Sequence, residues 1–484
     1  AATILALLAL ADVASAVERV ERTGMFNGPV RAISEPDADG IRYVGGGFTR
    51  FNAWATGASA VVDATSGAVD PSFPKVEPAA DTGEAIVFDA EPDGTGGVFI
   101  AGEFGLVDGQ ARYGLAHVLA DGSVDPAWTA GLDVGSGSWI YDIELAGGVL
   151  YVVGQFSGVA DAPGGTTTTR YNAAAFDGGT GAVTAWNPAA PTSGTVTSIA
   201  VDAGGNQAFL GGRFTCINAR LTGSCGDAGA TSRLAVAAVD LTDGDATAFD
   251  ATLSAGAVVE TLELDPADDW LYLGGGFTTV RGQGRTNAAV ISTDGSTVGT
   301  WAPNPSGSDA RVFDFTISGS TIYLGGRFTS VSSGGSSTAR ENLAAVSADP
   351  NAAAVATSLS VAFDGFGSEV VSAVDVRDGN LYVGGNFTEV DGSTRACAAR
   401  LSLAGAVDSW DPGVESGGPT TVYVVGAFGS EVLMGGRFTQ VGGEVRNRAA
   451  AVDSDGYLTD WSVTLNLDVN AVTVAGGKVF LGGA

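Results

Sequence analysis

Chemistry in this chain has to come largely from carboxylates and arginines, because histidine, lysine and cysteine are almost absent. His117 is the sole histidine, and no serine stands in a nucleophile motif, so a Ser-His-Asp arrangement has no support. His117 occupies a position where equivalent segments hold Val290 and Ala451, which marks it as a packing residue rather than a general base. Three scattered cysteines and one histidine cannot supply a four-ligand zinc site. Cys216 and Cys225 are close in one loop and are expected to be joined, leaving Cys397 free.

Two sets of residues vary inside an otherwise fixed frame. The first is acidic: Asp142 and Glu144, Glu260 and Glu263, Asp314, and Asp375 lie on alternating apolar–polar segments. Equivalent positions hold Ala200, Ala373 and Thr473, so the segment itself does not demand an acid. If these segments surround a common axis, the carboxylates converge on a cation or a basic or hydroxylated ligand; otherwise they line a wet channel. Hard cations prefer oxygen, so Asp142, Glu144, Glu263, Asp314 and Asp375 are the candidates for a weak calcium site, the one cofactor suggested. The second set precedes a recurring phenylalanine: Gly47, Glu103, Gln155, Arg213, Gly276, Arg327, Asn386 and Arg437. Arg213, Arg327 and Arg437 are ligand candidates that suit an acidic sugar, against the alternative of solvated surface. A further arginine follows the phenylalanine in most copies (Arg112, Arg170, Arg233, Arg285, Arg340, Arg395, Arg446). Its regularity predicts a structural ion pair or a hydrogen bond to backbone carbonyls. Residues 35–40 resemble the start of a calcium loop but lack the acid at the twelfth position, and a hairpin turn is expected instead.

The elements that position these residues repeat along the chain. A segment of the form aliphatic-aromatic-aliphatic-Gly-Gly-x-Phe-Thr is anchored on Phe48, Phe104, Phe156, Phe214, Phe277, Phe328, Phe387 and Phe438, and a ninth copy starts at Val479. Each period contains four strand-like pieces. Strand a alternates, as in Val371-Ser372-Ala373-Val374-Asp375-Val376. Strand b carries the glycines, strand c is Ala-rich, and strand d ends on an aromatic: Phe73, Trp128, Trp186, Phe249, Trp301, Phe363, Trp410 or Trp461. Four short antiparallel strands per unit of this length predict an all-β fold, a β-propeller of four-stranded antiparallel blades with about eight repeats. A seven-bladed ring plus an extra unit is the alternative. The glycine pair is expected to serve a bulge and close approach of a neighbouring strand, not phosphate binding, since no helix follows it.

The Tyr-Val-Gly-Gly-x-Phe-Thr core, the arginine opening strand c, the Thr-Gly turn (Thr180-Gly181) and the strand-d tryptophan together resemble the delta-sixty β-propeller repeats of secreted bacterial proteins. Kelch blades, which also end their second strand in Gly-Gly, are a fainter likeness. The resemblance spans about residues 28 to 484 and implies a fold and an extracellular setting, with no catalytic residue to carry over.

Composition narrows the partners. A formal net charge of −31 repels nucleic acid and anionic lipid, and excludes them as partners. No later stretch is long and apolar enough to span a membrane. Residues 1–16 have the apolar run and Ala14-Ser15-Ala16 ending of a signal-peptide remnant, so secretion or a cell-surface location is expected. Residues 17–27 then form a linker, 28–467 the repeats, and 468–484 the truncated start of another. Oligomeric state is not legible. The functional reading is a binding or scaffolding module for a protein or glycan ligand. Its alternatives are a polysaccharide lyase or hydrolase using the channel carboxylates, and a passive spacer in a larger surface protein.

Overall fold

In the computed structural model the described residues are 74–78 and 85–459, except 134–137, 266–268, 334, 366–369, 378, 416–419, 429–430 and 447–448. Towards the two ends, the strands Val30–Ile33, Ile41–Gly46, Ser59–Asp63, Val469–Ala475 and Lys478–Gly483 are also described. The expected leader and linker, residues 35–40, Gly47, Phe48, Phe73 and Trp461 lie outside the described residues. Among the described residues there is no helix.

Seven antiparallel three-stranded sheets follow one another, each built from strands a, b and c in the order a-b-c. In the sixth unit these are Arg311–Ser318, Thr321–Arg327 and Leu343–Ser347. Strand a of each unit packs against strand a of the next. The first and last described strands share one sheet, in which Lys478–Gly483 pairs with Val469–Ala475 and also with Ser59–Asp63. Val30–Ile33 and its sheet partners in turn pack on the second unit, and Val469–Ala475 on the eighth.

The four-stranded expectation needs correction. Strand d is reduced to one β-bridge against strand c in each of seven units, for example Phe176↔Val183 and Val346↔Ala356. After that bridge the aromatic that follows joins the apolar cluster between sheets. Trp128, Trp186, Trp301 and Trp410 are fully buried there. Each indole N–H donates to a carbonyl at the c–d turn of the next unit: Asp177, Asp240, Ser347 and Asp453 respectively. Burying an indole without a partner is costly, so this bond lets a large ring fill the wedge. In the sixth unit the register assigns this place to Leu359, whose N–H bonds Thr357 Oγ1 as that of Trp186 bonds Thr184 Oγ1. Phe363, the residue expected there, instead pairs with Val390 in a small satellite sheet. Apolar clusters fill the gaps between successive sheets, so the core is distributed rather than central.

The glycine pair has two separate jobs. In every unit the a–b pairing slips by one residue near the start of strand a, as between Val312 and Asp314. A Cβ on the second glycine, Gly326 for instance, would collide with the backbone carbonyl of Arg311 at that bulge. The first glycine meets the neighbouring unit: a Cβ on Gly325 would touch Val371 and Val374.

Strand c and the residue after the d bridge form a complementary slot. Ala175, Ala238, Ala345 and Ala451 face Thr184, Thr247, Thr357 and Thr459, each threonine N–H bonding the alanine carbonyl. Val290 faces Gly299, where any Cβ would strike the valine methyl. His117 faces Asp125 and Arg400 faces Asp408, the bases pairing with the acids at 2.9 and 2.5 Å. Volume and charge are conserved across the slot even though its residues are not.

Candidate functional site

The acids of strand a are anchored by the bulge, which rotates the residue after it towards the next unit. Asp142 accepts the N–H of Ile199 at 2.9 Å, Glu144 that of Val201 at 2.9 Å, and Asp314 that of Val374 at 2.9 Å. Asp89, which the sequence reading missed, accepts the N–H of Ile143 at 2.9 Å. It shares the register of Asp142 and Asp314, and that alignment was the available signal. These carboxylates therefore staple one strand a to the next. Glu260 is engaged differently, with Oε1 on the Arg311 guanidinium at 2.9 Å. Glu263 and Asp375 are half-buried on the same strands.

Burial raises the proton affinity of this set. It pushes Glu144 and Glu263 up to about 7. Asp314 also rises to about 7, through burial first and then the charges of Glu263 and Asp375. Asp89 and Asp142 interact and are both raised, by burial first and, for Asp142, by the Asp89 and Glu144 charges. Among the described residues no group of three or more His, Cys, Asp or Glu is placed to hold a metal ion. The calcium set Asp142, Glu144, Glu263, Asp314 and Asp375 is thus not preassembled, because three of its members already spend an oxygen on backbone.

The arginine after each phenylalanine is structural. In units two to seven one terminal nitrogen donates to the preceding carbonyl and the other to the carbonyl of the slot residue, as Arg112 does to Ala111 and Asp125. His117 is buried, stacked on Phe99 at 4.4 Å, with Asp125 at Nδ1 (2.9 Å) and Asp93 at Nε2 (3.1 Å). Burial opposes ionisation of Asp93, but bonds from His117, Thr95 and Gly97 outweigh it and hold its carboxyl well below the usual range. This is a buried, hydrogen-bonded cluster that packs in the sheet. Cys216 and Cys225 form a disulfide and Cys397 is free and buried.

The residues preceding Phe104, Phe156, Phe214, Phe277, Phe328 and Phe438 end strand b, opposite the start of strand a, while Asn386 follows the end of its strand b, Asn380–Gly385. This edge carries two adjoining clefts. The larger, about 640 Å³, lies between units five and six and is lined by Ser254, Gly276, Thr278, Arg311, Phe313 and Arg327 among others. The smaller, about 170 Å³, includes Arg213 and shares Gly256 and Ala257 with the first. Arg213 and Arg437 are exposed and Arg327 is half-buried. Sequence reasoning missed Arg311, whose signal was a basic residue opening a strand directly opposite Arg327.

Comparison with known proteins agrees with this architecture. The family model described as "Domain of unknown function (DUF5122) beta-propeller" matches residues 92–127 and 377–409. A solved structure titled "Structure of Dos1 propeller" is similar over 91% of this chain and 95% of that chain, at 10% identity and a TM-score of 0.52. The computationally designed Ika8 protein is similar over 83% of this chain and 96% of that one, at 12% identity and a TM-score of 0.46. No curated protein matches the chain in sequence.

Proposed function

From an all-β chain of β-propeller repeats, we propose a secreted or cell-surface binding module that uses the edge where strand a begins and strand b ends to contact a glycan. One observation carries this reading: the frame is restated in every unit, while the residue before each phenylalanine changes from Glu103 to Gln155, Arg213, Gly276, Arg327, Asn386 and Arg437. Both clefts open on that variable edge. The Cys216–Cys225 disulfide suits an oxidising compartment, in line with export. Within propellers, the chain fits a delta-sixty type ring of eight blade positions, the first of them completed by the sheet that the first and last strands share.

Carboxyls held near 7 favour a second reading, a polysaccharide lyase or hydrolase. Neither Glu263 nor Asp314 lines either cleft, so the acids and the ligand-sized space do not coincide. An array of neutral and acidic polysaccharides tests both readings. Retention of a glycan without release of new reducing or unsaturated ends supports the module; release of such ends supports the enzyme. An array on which nothing is retained would contradict glycan contact and redirect attention to a protein partner.

A further inference from the structure

Arg311 and Arg327 are directly opposite each other across the a–b ladder of the sixth unit. Like charges so placed repel, and they are normally avoided or neutralised. Glu260 neutralises one of them through its 2.9 Å bond to Arg311. Arg327 has no ion-pair or hydrogen-bond partner among the described residues, and its Nε is buried with none. The arginines that follow the motif phenylalanines clamp two carbonyls: Arg112, Arg233, Arg285, Arg340 and Arg395 also bury an unbonded Nε, yet their terminal nitrogens are taken up by carbonyls. In a chain with a net charge of −31, an unpaired arginine is not explained by a shortage of carboxylates.

The space beside this pair also has a specific origin. The fifth unit places Gly276 where sister units hold Glu103, Gln155, Arg213, Asn386 or Arg437. A Cβ on Gly276 would come within 3.4 Å of Arg311 Nε, so a long side chain there would occupy the cleft. The remaining wall offers the hydroxyls of Ser254 and Thr278, the Phe313 ring and the exposed carboxylate of Asp309. Its volume of about 640 Å³ falls in the range of small-molecule sites.

We propose that this cleft between the fifth and sixth units binds a uronate residue of an acidic polysaccharide, with the sugar carboxylate on Arg327 and Arg311. The inference rests on the glycan-binding reading above and names its ligand class. One guanidinium lacks a counter-ion, which calls for a single negative charge. Asp309 and Glu260 would repel a doubly charged phosphate, whereas a carboxylate presents two oxygens to two guanidinium groups. Hydroxyl groups and Asp309 supply acceptors and donors for ring hydroxyls, and Phe313 offers an apolar surface for a sugar face.

Calorimetry with a galacturonate trisaccharide, its methyl ester and inorganic phosphate tests this on the whole chain. The acid is expected to bind, with the ester and phosphate weaker by roughly tenfold or more. Arg327→Gln and the cleft-filling Gly276→Gln should each lose binding by roughly tenfold or more while keeping the wild-type melting curve. Equal affinity for acid and ester, or binding of the acid unchanged in both variants, would overturn the uronate site and leave the module reading intact. Preference for phosphate, or no heat with any of the three, would also overturn it. The glycan-module reading falls if the wider array retains nothing or if new ends are released from it.

Discussion

At the scale of single residues, several positions that look chemical are backbone devices. Cys397 has φ +65° and stands where Asn172, Asn287 and Asn342 stand with φ +62°. Those asparagines accept the N–H of the motif phenylalanine: Phe156, Phe277 and Phe328. Asparagine tolerates the left-handed region better than a side chain without a local bond, which is why it recurs there. Burial pushes the Cys397 thiol up to about 12, so it is inert. Cys397→Asn is therefore expected to stabilise the fold by about 1 kcal/mol, read as a higher melting temperature. A lower one would contradict the shared-position account. The disulfide and the packing role of His117 could be inferred from residue type and spacing. The unpaired Arg327 could not, because its isolation depends on which partner Glu260 takes, and that is decided across two strands.

Between elements, the strand-a staples and the c–d slot hold the sheets together. The staples tie stability to pH with a definite sign. Asp314, Glu144 and Glu263 have raised values in the folded state, so the folded chain binds more protons than the unfolded one above pH 4. Their stabilisation is complete below about pH 4 and is lost as pH rises towards about 7. Turn aspartates oppose this at the acid end. Bonds from Thr180 and Thr242 hold Asp177 and Asp240 below the usual range, and that contribution is lost as pH falls below about 4. Maximum stability is thus expected near pH 4 to 6. Asp314→Asn should raise stability by about 1–3 kcal/mol more at pH 8 than at pH 4, where the carboxyl is protonated in both states. An equal effect at both would refute the raised carboxyl.

The slot makes a different prediction. Arg400→Ala strands Asp408 beside a void, whereas Arg400→Ala with Asp408→Thr recreates the pairing of four sister units. The double variant is expected to melt above the single one, by about 1–2 kcal/mol in a mutant cycle. Strands a, b and c were legible because glycine, alternation and alanine each leave a local signature. Strand d was not, since a tryptophan turning into an inter-sheet gap resembles the end of a strand until its indole partner is known. The acids were read as lining for the same reason: a bulge that rotates Asp142 towards Ile199 leaves no mark in the spacing.

For the whole molecule, repetition and charge set the behaviour. A net charge of −31 on one fold is self-repulsive, and added salt screens it over a Debye length of about 8 Å at physiological ionic strength. Melting temperature is expected to rise from low to molar NaCl, and a flat or falling trend would show that local pairs dominate. The propeller class was readable from the period alone. The ligand was not, because the fold repeats in every unit while contact residues appear once each.

The central claim is that the repeated frame holds the fold and the variable edge makes contact. Replacing Arg213, Arg327 and Arg437 together by glutamine and returning the variant to the polysaccharide array tests it most directly. A melting temperature within about 2 °C of wild type is expected, since none of the three belongs to the clamp, slot or staple, together with loss of the acidic-glycan signal. An array pattern identical to that of the wild-type protein would contradict it.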